Sequence, residues 1–209
     1  MGRPREHDDE TRSALRGAAE RLVAEGGPAA LSVRAVAAEA GTTTRAVYSL
    51  FGSKEGLLVD ALAEGAFDYL ADGIDDLGEN EDPVSDLIAI GVPVFRGLVL
   101  EHPALYRIAF QRIAPGLRAG PEVTAARERA FGRLLARVKR VEDAGLLGCK
   151  STLEAAVEFN AMLEGLANAE LRGNTLRILP DGLEERAWRD ALTTVVRGFG
   201  ATATPAGDA

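Results

Sequence analysis

The chain has 209 residues, 46% of them hydrophobic and 27% charged, with a net charge of −8 and one cysteine, Cys149. That apolar content suffices for a buried core, one thiol excludes an internal disulfide, and no run reaches the ~18 consecutive apolar residues of a membrane span. Only 5% of residues are aromatic, and the abundance of Ala and Leu favours helices over sheets.

The charge is uneven. Residues 1–58 hold eight Lys+Arg against eight Asp+Glu, and the remainder holds sixteen against twenty-four. The acidity therefore belongs to the second part, and Arg3, Arg5, Arg34, Arg45 and Lys54 supply local positive charge to a neutral first part. Such a balance is compatible with nucleic acid. The polar start, MGRPREHDDETR, lacks the apolar stretch of a secretion signal, so a reducing cytoplasm is the expected compartment.

Residues 1–8 read as an arm whose Arg3 and Arg5 could follow a groove or a phosphate backbone. A helix is expected from about Asp9 to Glu25, because Leu15, Ala18, Ala19, Leu22 and Val23 recur at i, i+3, i+4, i+7 and i+8. Gly26-Gly27-Pro28 ends it. A short helix follows with Ser32 as N-cap, Val36, Ala37 and Ala40 as its apolar face and Gly41 as its stop. The next helix starts at Thr43 and turns Val47, Leu50 and Phe51 inward, leaving Thr44, Arg45, Tyr48 and Ser49 outside. Gly52 stops it, and Ser53-Lys54-Glu55 opens another. Two short helices around a Gly-containing turn, with hydroxyls, an Arg and a Tyr outward on the second, make a helix-turn-helix. Thr hydroxyls at a helix N-terminus suit phosphate oxygens, and an Arg there can reach a guanine edge with two hydrogen bonds. An ordinary helix hairpin with Arg45 and Tyr48 in solvent fits the periodicity as well.

The stretch Leu31–Leu58 resembles the DNA-binding segment of TetR-type transcriptional regulators. The matching pieces are Ser32-Val33-Arg34, Ala37-Ala38-Glu39-Ala40-Gly41, Val47-Tyr48, Phe51, and Ser53-Lys54-Glu55 with Leu57-Leu58. With the helix upstream the resemblance covers about residues 9–62. Thr42 stands where a Val is usual, and Ser49-Leu50 replaces a more polar or aromatic pair, which changes what the helix offers to bases. The resemblance implies phosphate contacts by Tyr48 and Lys54 with help from Thr43. Thr44, Arg45 and Ser49 are then left for base edges, with Arg34 serving either role.

From Ser53 a long helix is expected to about Leu70. Residues 68–86, with eight acidic and no basic side chains, read as a fraying end and a solvated loop. Val84–Glu101 is apolar nearly all round, hence a buried helix, with Pro93 as a kink. His102-Pro103 breaks the chain, and 103–110 forms a short helix. The run Glu101–Arg107 resembles the ligand domains of one branch of TetR-type regulators. His102 reads as a helix-end or pocket-rim residue. After a loop at 111–120, a helix from Pro121 to Ala144 carries an apolar stripe and an outer face of Arg127, Arg129, Arg133, Arg137, Lys139 and Arg140, read as solvated. The helix Thr152–Arg172 has Ala161, Gly165 and Ala169 at i, i+4 and i+8, beside a polar line of Asn160, Glu164 and Asn168. The last helix runs from about Leu183 to Phe199, and residues 201–209 read as a disordered tail.

The fold expected is all-α, with about nine helices. Residues 1–56 form an N-terminal three-helix helix-turn-helix domain and residues 57–200 a C-terminal ligand-binding and dimerisation domain. No Ser/His/Asp set, phosphate loop, CxxC or HExxH is present, so no enzyme, cofactor or metal site is expected. His102 or Glu164 as acid/base lacks a companion at usable spacing. The resemblance implies a ligand-responsive repressor that binds a palindromic double-stranded operator as a homodimer and is released by a small molecule. The alternative is a helical carrier with no DNA-binding role. The candidate sites are Arg34, Thr43, Thr44, Arg45, Tyr48, Ser49 and Lys54 for DNA. Phe95, Leu98, Tyr106, Phe110, Phe131, Leu134, Leu135, Phe159, Asn160 and Leu163 are the candidates for an apolar ligand. Ala161, Gly165, Ala169, Leu192 and Val196 are those for the dimer interface.

Overall fold

The computed structural model describes residues 5–26, 30–111, 120–173, 178–180 and 182–200. The arm residue Arg3, most of the 111–120 loop and the 201–209 tail lie outside the described residues, as does the side chain of Arg5. Among the described residues no strand occurs and nine helices are found. They are α1 (Arg5–Gly26), α2 (Val33–Glu39), α3 (Thr44–Phe51), α4 (Lys54–Asp76), α5 (Pro83–Glu101), α6 (Pro103–Phe110), α7 (Pro121–Asp143), α8 (Thr152–Arg172) and α9 (Glu184–Phe199). The chain divides into two compact units, one of Met1–Leu70 with Leu100–Ala130 and the other of Ala71–Val99 with Phe131–Ala209.

The first unit is built as its caps dictate. Ser32 Oγ accepts the Ala35 amide at 3.1 Å and opens α2. Thr43 Oγ1 accepts the Ala46 amide at 3.2 Å and opens α3. Ser53 Oγ accepts the Gly56 amide at 2.9 Å at the head of α4. Each satisfies a backbone donor that the helix start leaves free. Between α2 and α3 the chain turns through Gly41 at φ 64°, a left-handed conformation that glycine adopts without strain. Leu15, Ala18 and Ala19 of α1, Val36 of α2, Val47 of α3 and Leu57 and Leu62 of α4 are fully or almost fully buried together. Gly56 decides how closely α4 follows α3. A Cβ there would lie 2.2 Å from the carbonyl oxygen of Phe51, so only glycine fits the approach.

Helix α1 begins at Arg5, four residues before the sequence expectation, and α4 continues to Asp76 rather than stopping near Leu70. Ala71 and Ile74 explain the second difference, because both are buried and extend the apolar side of α4 into the acidic stretch.

The acidic stretch and the basic face of α7, each expected to be solvated, are largely paired. Arg129 Nη2 lies 2.7 Å from Asp68 in the first unit. In the second unit Arg133 Nη2 lies 3.0 Å from Asp75. Arg137 and Arg140 both hold Asp86, and Arg137 Nη2 also donates to Ile74 O at 2.9 Å. Asp86 and Arg137 are only 3% and 6% exposed. Burial at that level demands full pairing, since a lone buried charge is expensive.

In the second unit Asp82 caps α5 by accepting the Val84 and Ser85 amides, and Pro83 takes the first helical position. A hydrogen bond from the Ser85 hydroxyl, with those from the two amides, holds the Asp82 carboxyl below its ordinary pKa. The middle of α5, Ile90–Arg96, is wound as a π-helix around Pro93. Proline has no N–H to continue the ladder, so the disturbance expected at Pro93 takes this form. By length and composition α5 could cross a membrane, but about half of it is buried within the protein, as in a core helix. Arg96, at the end of the π segment, makes a two-pronged pair with Glu170 of α8 at 2.7–3.1 Å. The indole N–H of the fully buried Trp188 donates to the same carboxylate at 2.6 Å.

Candidate nucleic-acid interface

Helix α3 shows a divided surface. Val47 and Phe51 are buried and Leu50 is half-buried, whereas Thr44, Arg45, Tyr48 and Ser49 are exposed. Tyr48 keeps 55% of its surface in solvent, unusual for a large ring in a short helix. Thr43 precedes them as the cap, Arg34 is exposed on α2, and Lys54 is exposed at the first position of α4. All seven side chains proposed from the sequence are therefore presented by the helix-turn-helix and the residue that follows it. Arg45 does not pair with the nearby acidic residue of α2, Glu39. Glu39 is held by Arg21 of α1, whose Nε lies 2.9 Å from it. Among the described residues, no intramolecular partner holds Arg34, Arg45 or Lys54.

A groove of about 650 Å³ runs beside the turn and α3, where Thr42, Thr43, Arg45 and Ser49 line one part of it. Asp8 and Thr11 of α1 line the other. Sequence reasoning missed these two. Nothing in the local pattern tells which residue of α1 meets the turn.

The residues proposed for a ligand do not fall in one unit. Phe95, Leu98, Leu134, Phe159 and Leu163 are buried in the second unit, and Phe131, Leu135 and Asn160 are partly buried there. Asn160 donates to the Glu164 carboxylate at 2.7 Å. Tyr106 and Phe110 belong to the first unit. There they stack with centroids 4.9 Å apart, and Phe110 tilts against Phe67 at 5.4 Å. His102 precedes α6 without a side-chain capping bond and meets Tyr69 edge-on at 5.2 Å.

The residues proposed for a dimer interface also separate. Ala161 and Gly165 are exposed and Ala169 is half-exposed on α8. Leu192 and Val196 do not belong to such a surface: they are 0% and 3% exposed, buried inside the protomer itself. Leu192 fills the space above Gly91, where a Cβ would come within 2.0 Å of its Cδ1. The amphipathic pattern of α9 marked its buried side and could not say whether its own chain or a copy covers it. Leu153 and Val157, 56% and 53% exposed, continue the Ala161-Gly165 row at i, i+4 spacing toward the start of α8 and were not anticipated.

Two family models match the chain. The one described as bacterial regulatory proteins, tetR family, covers residues 15–61. The one described as a tetracycline repressor-like C-terminal domain covers residues 87–195. The HTH-type transcriptional regulator Rv1816 of Mycobacterium tuberculosis is 31% identical over 130 residues, 60% of this chain and 54% of that protein. The chain thus spans about half the length of the curated relatives it matches. Among solved structures, a protein of unknown function from Rhodococcus sp. RHA1 superposes with a TM-score of 0.72 at 24% identity, over 91% of this chain and 96% of that one. RolR in complex with resorcinol superposes with a TM-score of 0.68 at 18% identity, over 97% and 98%. These two likenesses concern the fold. The two family models assign the helix-turn-helix and the larger helical part to a family of regulators rather than enzymes. The chain belongs to the TetR family of bacterial regulatory proteins.

Proposed function

We propose that this chain is a cytoplasmic, ligand-responsive repressor that binds a palindromic operator as a homodimer and leaves it when a small apolar molecule binds. The observation that carries the reading is the exposed set Arg34, Thr43, Thr44, Arg45, Tyr48, Ser49 and Lys54, with its three cations unpaired among the described residues. Tyr48, Lys54 and Thr43 fit phosphate oxygens, which fix position. Arg45, Thr44, Ser49 and Arg34 fit base edges, which carry sequence. In this reading residues 1–56 act as the reader and residues 57–200 hold the effector and the partner subunit. The exposed row of Leu153, Val157, Ala161 and Gly165 supports α8 as the dimer surface, since small residues let a second helix come close.

The effector site is proposed in the second unit, among Phe95, Leu98, Leu134, Phe159 and Leu163, with Asn160 for orientation. RolR, a fold neighbour, binds the small aromatic resorcinol, which is in keeping with an effector of that size. Release requires the effector to bind the DNA-free conformation more tightly than the DNA-bound one. Protection of the DNA upstream of the chain's own gene tests the proposal. A protected palindrome is expected, and a protein that binds a small molecule but protects no sequence is a carrier instead.

A further inference from the structure

Helix α3 ends without a cation of its own, since its last turn holds no basic residue. A cation is favoured there, because the helix dipole and the free carbonyls make that end negative. Two closing carbonyls are met locally: Tyr48 O by the Gly52 amide at 3.0 Å and Phe51 O by the Ser53 amide at 2.8 Å. Leu50 O is met from another helix. Arg12 of α1, 38 residues away in sequence, donates to it from Nη2 at 2.9 Å. The same guanidinium lies 4.8 Å from the centre of the Phe51 ring, within cation–π range. One side chain of α1 thus holds both the backbone and the buried ring of the last turn of α3.

Arg12 also has an acidic neighbour. Nη2 is 3.7 Å from Oε1 of Glu122, in the first turn of α7. Nη1 is buried and has no hydrogen-bond partner among the described residues. A guanidinium offers five donors in a fixed fork, so a small rotation exchanges one acceptor for the other while the group stays where it is. We infer that Arg12 is the positioning residue of the reading helix α3, and that Glu122 is the competing acceptor through which the first turn of α7 loosens or tightens it. This rests on the proposed reading of DNA by α3, and the test keeps the two apart.

Amide hydrogen exchange on the full chain without DNA measures the hold directly. Arg12→Gln should speed exchange of the Leu50, Phe51 and Gly52 amides about tenfold, the order expected for losing a charge-assisted hydrogen bond, while α2 is unchanged. Glu122→Ala, which removes only the competitor, should slow exchange at the same amides, and it decides alone if Arg12→Gln does not fold. Binding to an operator and its point variants over a salt series gives the second readout. Arg12→Gln should lose discrimination with the salt slope unchanged. A slope shallower by about one would make Arg12 a phosphate contact and overturn the inference. Unaltered exchange in both variants overturns it whatever the DNA shows. If exchange responds but the unmodified protein binds no duplex, the proposed function fails and the positioning role fails with it.

Discussion

Lys54 and Arg45 are both exposed cations, yet their losses should differ. Lys54 is exposed at the first position of α4, and in the proposed reading it meets a phosphate. Lys54→Ala is expected to weaken all sequences alike and to make the salt dependence shallower by about one unit of slope per subunit. Arg45→Ala is expected to cost about 1–3 kcal/mol per half-site and to relax preference at one base position. Titrations of an operator and its point variants at several salt concentrations distinguish the two. Asp8 works the other way, as a carboxylate in the same groove as Arg45. Asp8→Asn should raise affinity for every duplex several-fold at low salt, because it removes repulsion from phosphates. Unchanged non-specific binding would show that Asp8 stays clear of the backbone. The exposure of Lys54 and Arg45 was legible because their places on short capped helices fix which face they occupy. The place of Asp8 in the groove was not, since it depends on a tertiary approach.

Among elements, α4 and α7 show most clearly where sequence reading stops. Their apolar stripes predicted two long helices correctly. The acidic stretch from α4 into α5 and the basic face of α7 looked independently solvated, because the match of Asp68, Asp75 and Asp86 to Arg129, Arg133 and Arg137 spans 51–61 residues of chain. The buried member matters most. Asp86→Ala should cost about 3–5 kcal/mol in denaturant unfolding, because it strands Arg137 in the interior. The exposed pair Arg186–Asp190 on α9 should be worth no more than about 1 kcal/mol. Equal effects of the two would refute this assignment.

The packing of α1 on α4 carries a pH signature. Glu20 sits half-buried over Gly65, where a Cβ would lie 2.2 Å from its Oε1. Burial raises the pKa of Glu20, with Arg16 opposing, and burial likewise raises that of Glu64. A carboxyl with a raised folded pKa contributes stability below its unfolded pKa, ordinarily 4.5, and loses that contribution as pH rises through the folded value. Glu20→Gln should therefore raise the melting temperature at pH 7 and leave it unchanged below pH ~4. A drop at pH 7 would mean that the carboxylate is needed in its charged form.

For the whole molecule, the fold class and the helix count followed from periodicity and caps alone. Which apolar face meets the protomer's own core and which meets a partner did not. Leu192 and Val196 illustrate the limit, since a stripe on α9 looks the same whichever body buries it. The exposed faces narrow the proposed dimer surface to α8. Gly165→Arg, placed where a Cβ meets nothing within 4 Å, should leave the protomer folded but monomeric and weaken operator binding. Light scattering of this variant beside the unmodified chain checks it, and a monomeric unmodified chain at micromolar concentration would remove the dimer. The most direct test of the protein as a reader of DNA is nuclease protection on the sequence upstream of its own gene, with the unmodified chain and Arg45→Ala in parallel. A two-fold symmetric protected stretch, its half-sites about 34–36 Å apart or somewhat more, that Arg45→Ala no longer distinguishes from a point-substituted copy is the expected result. Protection of no sequence at concentrations that saturate non-specific binding would contradict it.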